Sequence, residues 1–122
     1  ANGLMAPDLP HLDKIRDNVL HLSYETFGGD TLIIQNLPVK QVRLVNRYTG
    51  RGILFTFDGL EVLGLWTMSD EHSPFLCLEP WNGLPASSDE TTDARSKKYA
   101  RTLPPGSCHT VNYSVNILSG TI

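Results

Sequence analysis

Two apolar runs rich in β-formers, residues 53–57 (Ile-Leu-Phe-Thr-Phe) and 60–68 (Leu-Glu-Val-Leu-Gly-Leu-Trp-Thr-Met), are separated by nothing more than Asp58-Gly59. A chain that reverses within two residues needs positive φ values there, and Asp-Gly supplies them at low steric cost in a type I′ turn. The spacing predicts a hairpin in which residues 53–57 pair with residues 60–68. With two strands back to back in mid-chain, a helical fold has little room to form, and the search narrows to folds built on sheet.

The flanking sequence repeats the strand signal. Residues 18–24 alternate, with Val19, Leu20 and Leu22 as the apolar positions, and Gly28-Gly29-Asp30 reads as a turn. Thr-Leu-Ile-Ile-Gln (31–35) is a further strand, closed by Asn36-Leu-Pro38, and residues 40–47 alternate charged and apolar side chains as a half-buried strand should. Residues 75–79 form a short apolar strand that Pro80 is expected to stop. The polar stretch 86–101 reads as a long surface loop with room for one helical turn, and Pro104-Pro105-Gly106 punctuates the chain again. In the last strand, 108–118, His109, Val111, Tyr113, Val115 and Ile117 share one face, and Thr110, Asn112, Ser114 and Asn116 the other, which is left to solvent or a polar cleft. The first 17 residues, with Pro7 and Pro10, form an irregular lead-in; a short helical pattern through Leu12, Ile15 and Val19 is the alternative there. Many short strands, Gly/Pro punctuation and no long helix imply an all-β, antiparallel β-sandwich.

Composition narrows the function. Hydrophobic residues make up 40% and charged residues 19% of the 122, enough apolar material for one core. Net charge is -3 and the ten Lys and Arg are dispersed, which argues against a nucleic-acid or anionic-membrane surface. No apolar run approaches the roughly 20 residues of a membrane helix, and the N-terminus lacks the basic-then-apolar order of a signal peptide. A cytoplasmic location is expected. Cys77 and Cys108 read as thiols in a core-sized domain, although two strands could bring them together as a disulfide. His11, His21, His72 and His109 show no metal-ligand spacing, so no metal is expected. Gly50-Arg51-Gly52 is followed by strand rather than helix, so it is a loop and not a phosphate cradle. Gly-x-Ser-x-Gly is absent, and neither cysteine has an activating neighbourhood.

The oddest stretch is Phe75-Leu-Cys-Leu-Glu79-Pro-Trp-Asn-Gly83. Alternation puts Phe75, Cys77 and Glu79 on one face, so a carboxylate ends an apolar row. Burying a charge there is costly unless it has partners, and such a setting can make a carboxylate a general base. Trp81 offers a flat apolar platform and Asn82 a donor and an acceptor; together with Glu79 they suit a sugar, whose hydroxyls need hydrogen bonds and whose C–H face needs a flat surface. The plainer alternative is a strand-end Glu in water beside a core Trp. Asp30 either sets a second carboxylate near a cleft or only fixes its turn, and Trp66 lies in an apolar strand where core packing is the default.

Taken in order, Phe-Gly-Gly-Asp30-Thr-Leu-Ile-Ile, Tyr-Thr-Gly-Arg-Gly52-Ile, Leu-Gly-Leu-Trp66-Thr, the Phe75–Leu84 stretch and Leu103-Pro-Pro-Gly106-Ser resemble the C-terminal portion of the aldose 1-epimerase (galactose mutarotase-like) family, in its LacX-like branch. The resemblance covers about residues 18–118. It implies a galactose mutarotase-like supersandwich of which residues 1–122 are the C-terminal part, with the N-terminal part absent and expected to associate with this one. It also implies a cofactor-free isomerase interconverting the anomers of an aldohexose: a Glu takes the C1 hydroxyl proton, a His protonates the ring oxygen, and the ring opens and recloses. Glu79 matches the base. Asp30 matches an acidic position of the branch, and the substrate-binding candidates are Asp30, Trp81, Asn82 and Trp66. The family's acid His, in a His-Pro-Tyr-Phe-like motif upstream, has no match here. The alternatives are a non-catalytic carbohydrate-binding sandwich and an accessory domain of a glycoside-processing enzyme.

Overall fold

The structure, a computed structural model, describes residues 4–5, 15–68 and 72–120. His11 and Leu12 lie outside the described residues. Among the described residues, eight strands and two helical turns follow in the order β1 (Ile15–Arg16), β2 (Val19–Leu20), α1 (Tyr24–Phe27), β3 (Leu32–Gln35), β4 (Gln41–Val45), β5 (Gly52–Asp58), β6 (Val62–Trp66), β7 (Cys77–Trp81), a 3-10 turn (Ala94–Ser96) within the expected surface loop, and β8 (Asn112–Leu118). The last six strands form two three-stranded antiparallel sheets, ordered β4-β5-β8 and β3-β6-β7. Phe55 and Phe57 of the first sheet meet Ile34, Leu63 and Leu65 of the second, with Phe27 of α1, in one buried cluster. The expected all-β antiparallel sandwich is what the chain forms.

The central hairpin is not. β5 pairs with β4 and β8, β6 pairs with β3 and β7, and the two strands flanking Asp58-Gly59 belong to different sheets. The turn crosses the sandwich instead of folding a strand back on its neighbour. Gly59 has a φ of 79°, but Asp58 is not among the residues with positive φ, so the paired left-handed residues of a type I′ turn are lacking. Both such residues occur elsewhere, at Asp17 (φ 51°) and Asn18 (φ 61°), which close a short hairpin between β1 and β2. What separates β5 from β6 is burial. β5 alternates toward its end, whereas Val62 through Leu65 are buried without alternation, as a central strand covered on both faces must be. Phe57, Leu63 and Val62 are fully buried, each contributing about 1.5–3 kcal/mol in removal of apolar surface from water.

Other boundaries moved for local reasons. The strand expected over 18–24 is reduced to β2, because Ser23 starts α1: Ser23 and Thr26 form a reciprocal capping box, and Gly28 (φ 59°) ends the turn as a left-handed C-cap. Ile15 and Val19 lie in β1 and β2 and not in a helix. Pro80 does not stop its strand. β7 is an edge strand, where a missing N–H is tolerated, and it runs on to Trp81. The last strand begins at Asn112, and its apolar face as well as its polar face is exposed. Among the described residues no helix is long and apolar enough to cross a membrane.

Candidate functional site

The register of β7 on β6 decides what shares a face with Glu79. Glu79 stands opposite Gly64, Trp81 opposite Val62 and Cys77 opposite Trp66. These side chains therefore project from the sheet on the side away from the sandwich core, while Leu78, Leu63 and Leu65 serve the core. Glu79, Trp81 and Trp66 are brought to one face, with Cys77 beside Glu79 as alternation implied and Trp81 added because the strand runs past Pro80, but it is the outer face of the β3-β6-β7 sheet. Gly64 makes the arrangement possible: a Cβ there would lie 2.6 Å from the Trp81 ring, which rests across the glycine backbone. Trp66 is half-buried and meets Phe75 with ring centroids 5.7 Å apart. Glu79 is half-buried, and among the described residues no hydrogen bond or ion pair holds its carboxylate.

Beyond Trp81 the chain opens into a shallow depression of about 680 Å³ lined by Trp81, Asn82, Leu84, Lys97 and Arg101, among others. Asn82 donates from Nδ2 to the Gly59 carbonyl (3.1 Å) and stands 3.4 Å from His109 Nε2. Its Oδ1 is buried with no partner among the described residues, an acceptor that a hydroxyl could satisfy. Glu79 does not line this depression. Asp30 joins neither group: its carboxylate accepts the Thr31 N–H at 2.7 Å and its N–H donates to the Phe27 carbonyl, so it fixes the turn after α1.

The far wall comes from the loop 86–101. Tyr99, itself in a left-handed conformation (φ 62°), donates its hydroxyl to Gln35 Oε1 (3.0 Å), tying the loop to β3. Arg101 pairs with Glu61 (3.2 Å), and Lys97 with Glu90 (2.9 Å). The Ser87 N–H and then the Lys97 ammonium hold the Glu90 carboxyl below its usual range, and the Arg95 side chain and backbone N–H do the same for Asp93. Carboxyls depressed by folding stabilise the folded loop at neutral pH, and that contribution is lost as pH falls through their folded-state pKa values. The amide resonances of Ser87 and Arg95 are expected to titrate with midpoints below the ordinary carboxylate range; midpoints at ordinary values would show that the loop contacts do not persist in solution.

Lys97, Arg101 and His109 were not legible as site residues, because the loop has no periodicity and the His109–Asn82 approach spans 27 residues. Gly64 did carry a signal, since a lone glycine in an apolar strand marks a close approach. Both cysteines are free; Cys77 is half-buried and Cys108 exposed, so only the first has the environment expected of a core thiol. Among the described residues no His/Cys/Asp/Glu group is arranged to hold a metal ion.

Over 100 residues, 82% of its length, the chain is 33% identical to Protein LacX, chromosomal, of Lactococcus lactis subsp. lactis, and 32% identical to Protein LacX, plasmid, of the same organism. These similarities mark it as LacX-like over that stretch. The chain spans about a third of the length of the curated relatives it matches. No protein-family model matches it, and no solved structure matches it.

Proposed function

We propose that the chain contributes the base side of a hexose site in an aldose 1-epimerase-like protein, with Glu79 taking the proton from the sugar's C1 hydroxyl. The observation that carries this reading is a half-buried carboxylate with no partner among the described residues, on the sheet face that also bears Trp81 and Trp66. A proton acceptor needs a free lone pair, and a pyranose needs an apolar plane beside it; Glu79 offers the first, and Trp81 or Trp66 the second. Likeness to the LacX proteins supports a sugar-related role. Ring opening also requires an acid at the ring oxygen, and in this reading it comes from polypeptide outside these 122 residues.

A second reading is favoured by one feature. Trp81 and Asn82 line the depression while Glu79 does not, an arrangement suited to recognition without chemistry. Polarimetry on freshly dissolved α-glucose or α-galactose tests the first reading. The 122-residue chain is expected to leave mutarotation close to the buffer rate and the full-length protein to accelerate it. Acceleration by neither supports recognition alone, and full acceleration by the chain would mean that one of its own histidines serves as the acid.

A further inference from the structure

The wall of the depression rests on a turn that its own sequence disfavours. Lys97 and Arg101 both line the depression beside Trp81, and the chain reverses between them. The Ala100 N–H donates to the Lys97 carbonyl at 3.0 Å, which closes a four-residue turn with Lys98 and Tyr99 at its centre. Tyr99 is third in that turn and has a φ of 62°. Gly or Asn is the usual choice for a positive φ at that position, since a larger side chain crowds the backbone there. An aromatic residue keeps such a conformation only where its surroundings over-determine it. What holds Tyr99 is the tip of its side chain. The hydroxyl donates to Gln35 Oε1 at 3.0 Å, and Asn36 Oδ1, at 3.3 Å, competes for the same single hydrogen. Gln35 is paired with Val62 of β6, so the anchor stands on a sheet of the sandwich and not on the loop. Among the described residues, the Tyr99 hydroxyl makes the hydrogen bonds that tie residues 90–100 to either sheet. The Lys97–Glu90 pair lies wholly within the loop and would move with it.

We propose that Tyr99 is a positioning residue and the loop 86–101 a releasable wall: the hydroxyl, anchored at the end of β3, holds the strained turn that sets Lys97 and Arg101 beside Trp81. Strain and anchor oppose each other and are of comparable size, so one hydroxyl decides between two arrangements of the loop. With the anchor made, Lys97 and Arg101 face the depression from one side. With the anchor lost, Tyr99 relaxes to a negative φ, the turn opens, and Lys97 leaves Trp81 while the sandwich stays folded. Arg101 limits how far the opening spreads, because it is fastened separately to Glu61 and to the Gly59 carbonyl. A segment with exposed contacts and one such tie belongs to the low-stability end of a fold, from which ligand-binding loops are drawn. The inference rests on the hydrogen bonds of the turn, whatever the depression takes and whether or not Glu79 is a base.

Tyr99→Phe and Tyr99→Gly test it, because the first removes the anchor and keeps the strain, whereas the second removes both. At an ordinary surface position Phe, which keeps the ring, is the gentler change. Here the order is expected to invert. Exchange of the Ala100 amide, followed by nuclear magnetic resonance, should quicken at least about fivefold in Tyr99→Phe and by less in Tyr99→Gly. Urea midpoints for global unfolding should stay close to the parent in both, since the opening is local. Each variant is also made with Trp66→Phe, which leaves Trp81 as the remaining one of the two indoles. Acrylamide should then quench Trp81 more strongly in Tyr99→Phe than in the parent. In the unsubstituted protein a strong Overhauser effect between the amide and Hα protons of Tyr99 is expected, the mark of a positive φ, and it needs no variant to fold. The proposal is overturned if that effect is weak, if Ala100 exchanges no faster in Tyr99→Phe, or if Tyr99→Gly exchanges faster still. A urea midpoint that falls along with the protection would make the hydroxyl a support of the whole fold and overturn it too. So would faster Ala100 exchange with unchanged quenching of Trp81, since the anchor would then hold the turn without setting the wall.

Discussion

Replacing Glu79 with Gln in the full-length protein is expected to slow mutarotation by at least about 10²-fold, the lower end of what general-base assistance contributes. Gln keeps the size of the side chain and a hydrogen-bonding tip but cannot accept a proton at neutral pH. Folding should survive, because the Glu79 carboxylate holds no ion pair or hydrogen bond among the described residues and β7 is an edge strand. Sugar affinity should change much less than rate, since an amide still bonds a hydroxyl. Polarimetry gives the rate, and titration calorimetry with galactose the affinity. A folded variant with near-normal turnover would remove Glu79 from the mechanism. Loss of affinity and rate together would favour recognition over chemistry, in line with a depression that Trp81 and Asn82 line and Glu79 does not.

The largest effect on stability is expected at Phe57. Its side chain is fully buried, stacks on Phe55 at 5.6 Å between centroids, and belongs to the cluster that joins the two sheets. Phe57→Ala removes most of a ring from a site that neighbours on two sheets prevent from collapsing, and should cost about 3–5 kcal/mol. Against the roughly 5–15 kcal/mol that holds a typical domain together, that loss is severe. Urea unfolding followed by far-ultraviolet circular dichroism measures it. Tyr113→Ala in the same 122-residue chain should cost far less, because Tyr113 is mostly exposed and, among the described residues, the one aromatic ring it meets is Phe55. Equal losses at the two positions would mean that the core is not where the structure places it.

Strand composition, turn residues and alternation were enough to read the all-β class and most strand positions. β3, β4 and β6 fall within the expected runs and β5 exceeds its run by one residue at each end, because β-branched and apolar residues in short runs suit a pleated, buried or half-buried surface. That Cys77 and Glu79 share a side was legible for the same reason, since a strand's period puts them there whatever the strand packs against, while Trp81 lay past the expected stop at Pro80. Partners were not legible. Asp58-Gly59 permits a sharp reversal, but a reversal serves a hairpin and a crossing between sheets equally well. The choice was made by how many faces each strand buries and by β4 and β8 already flanking β5. Pro80 reads as a stop until the tertiary fold places it at a sheet edge that needs no donor. Likewise the row of β8 reads as a core face from its pattern alone, and only the extent of the facing sheet leaves it open. Local sequence thus determined where this chain is extended and which residues alternate. The packing of distant segments, which no local window contains, decided which strands are neighbours, which face Glu79 occupies, and what the loop 86–101 lays beside Trp81.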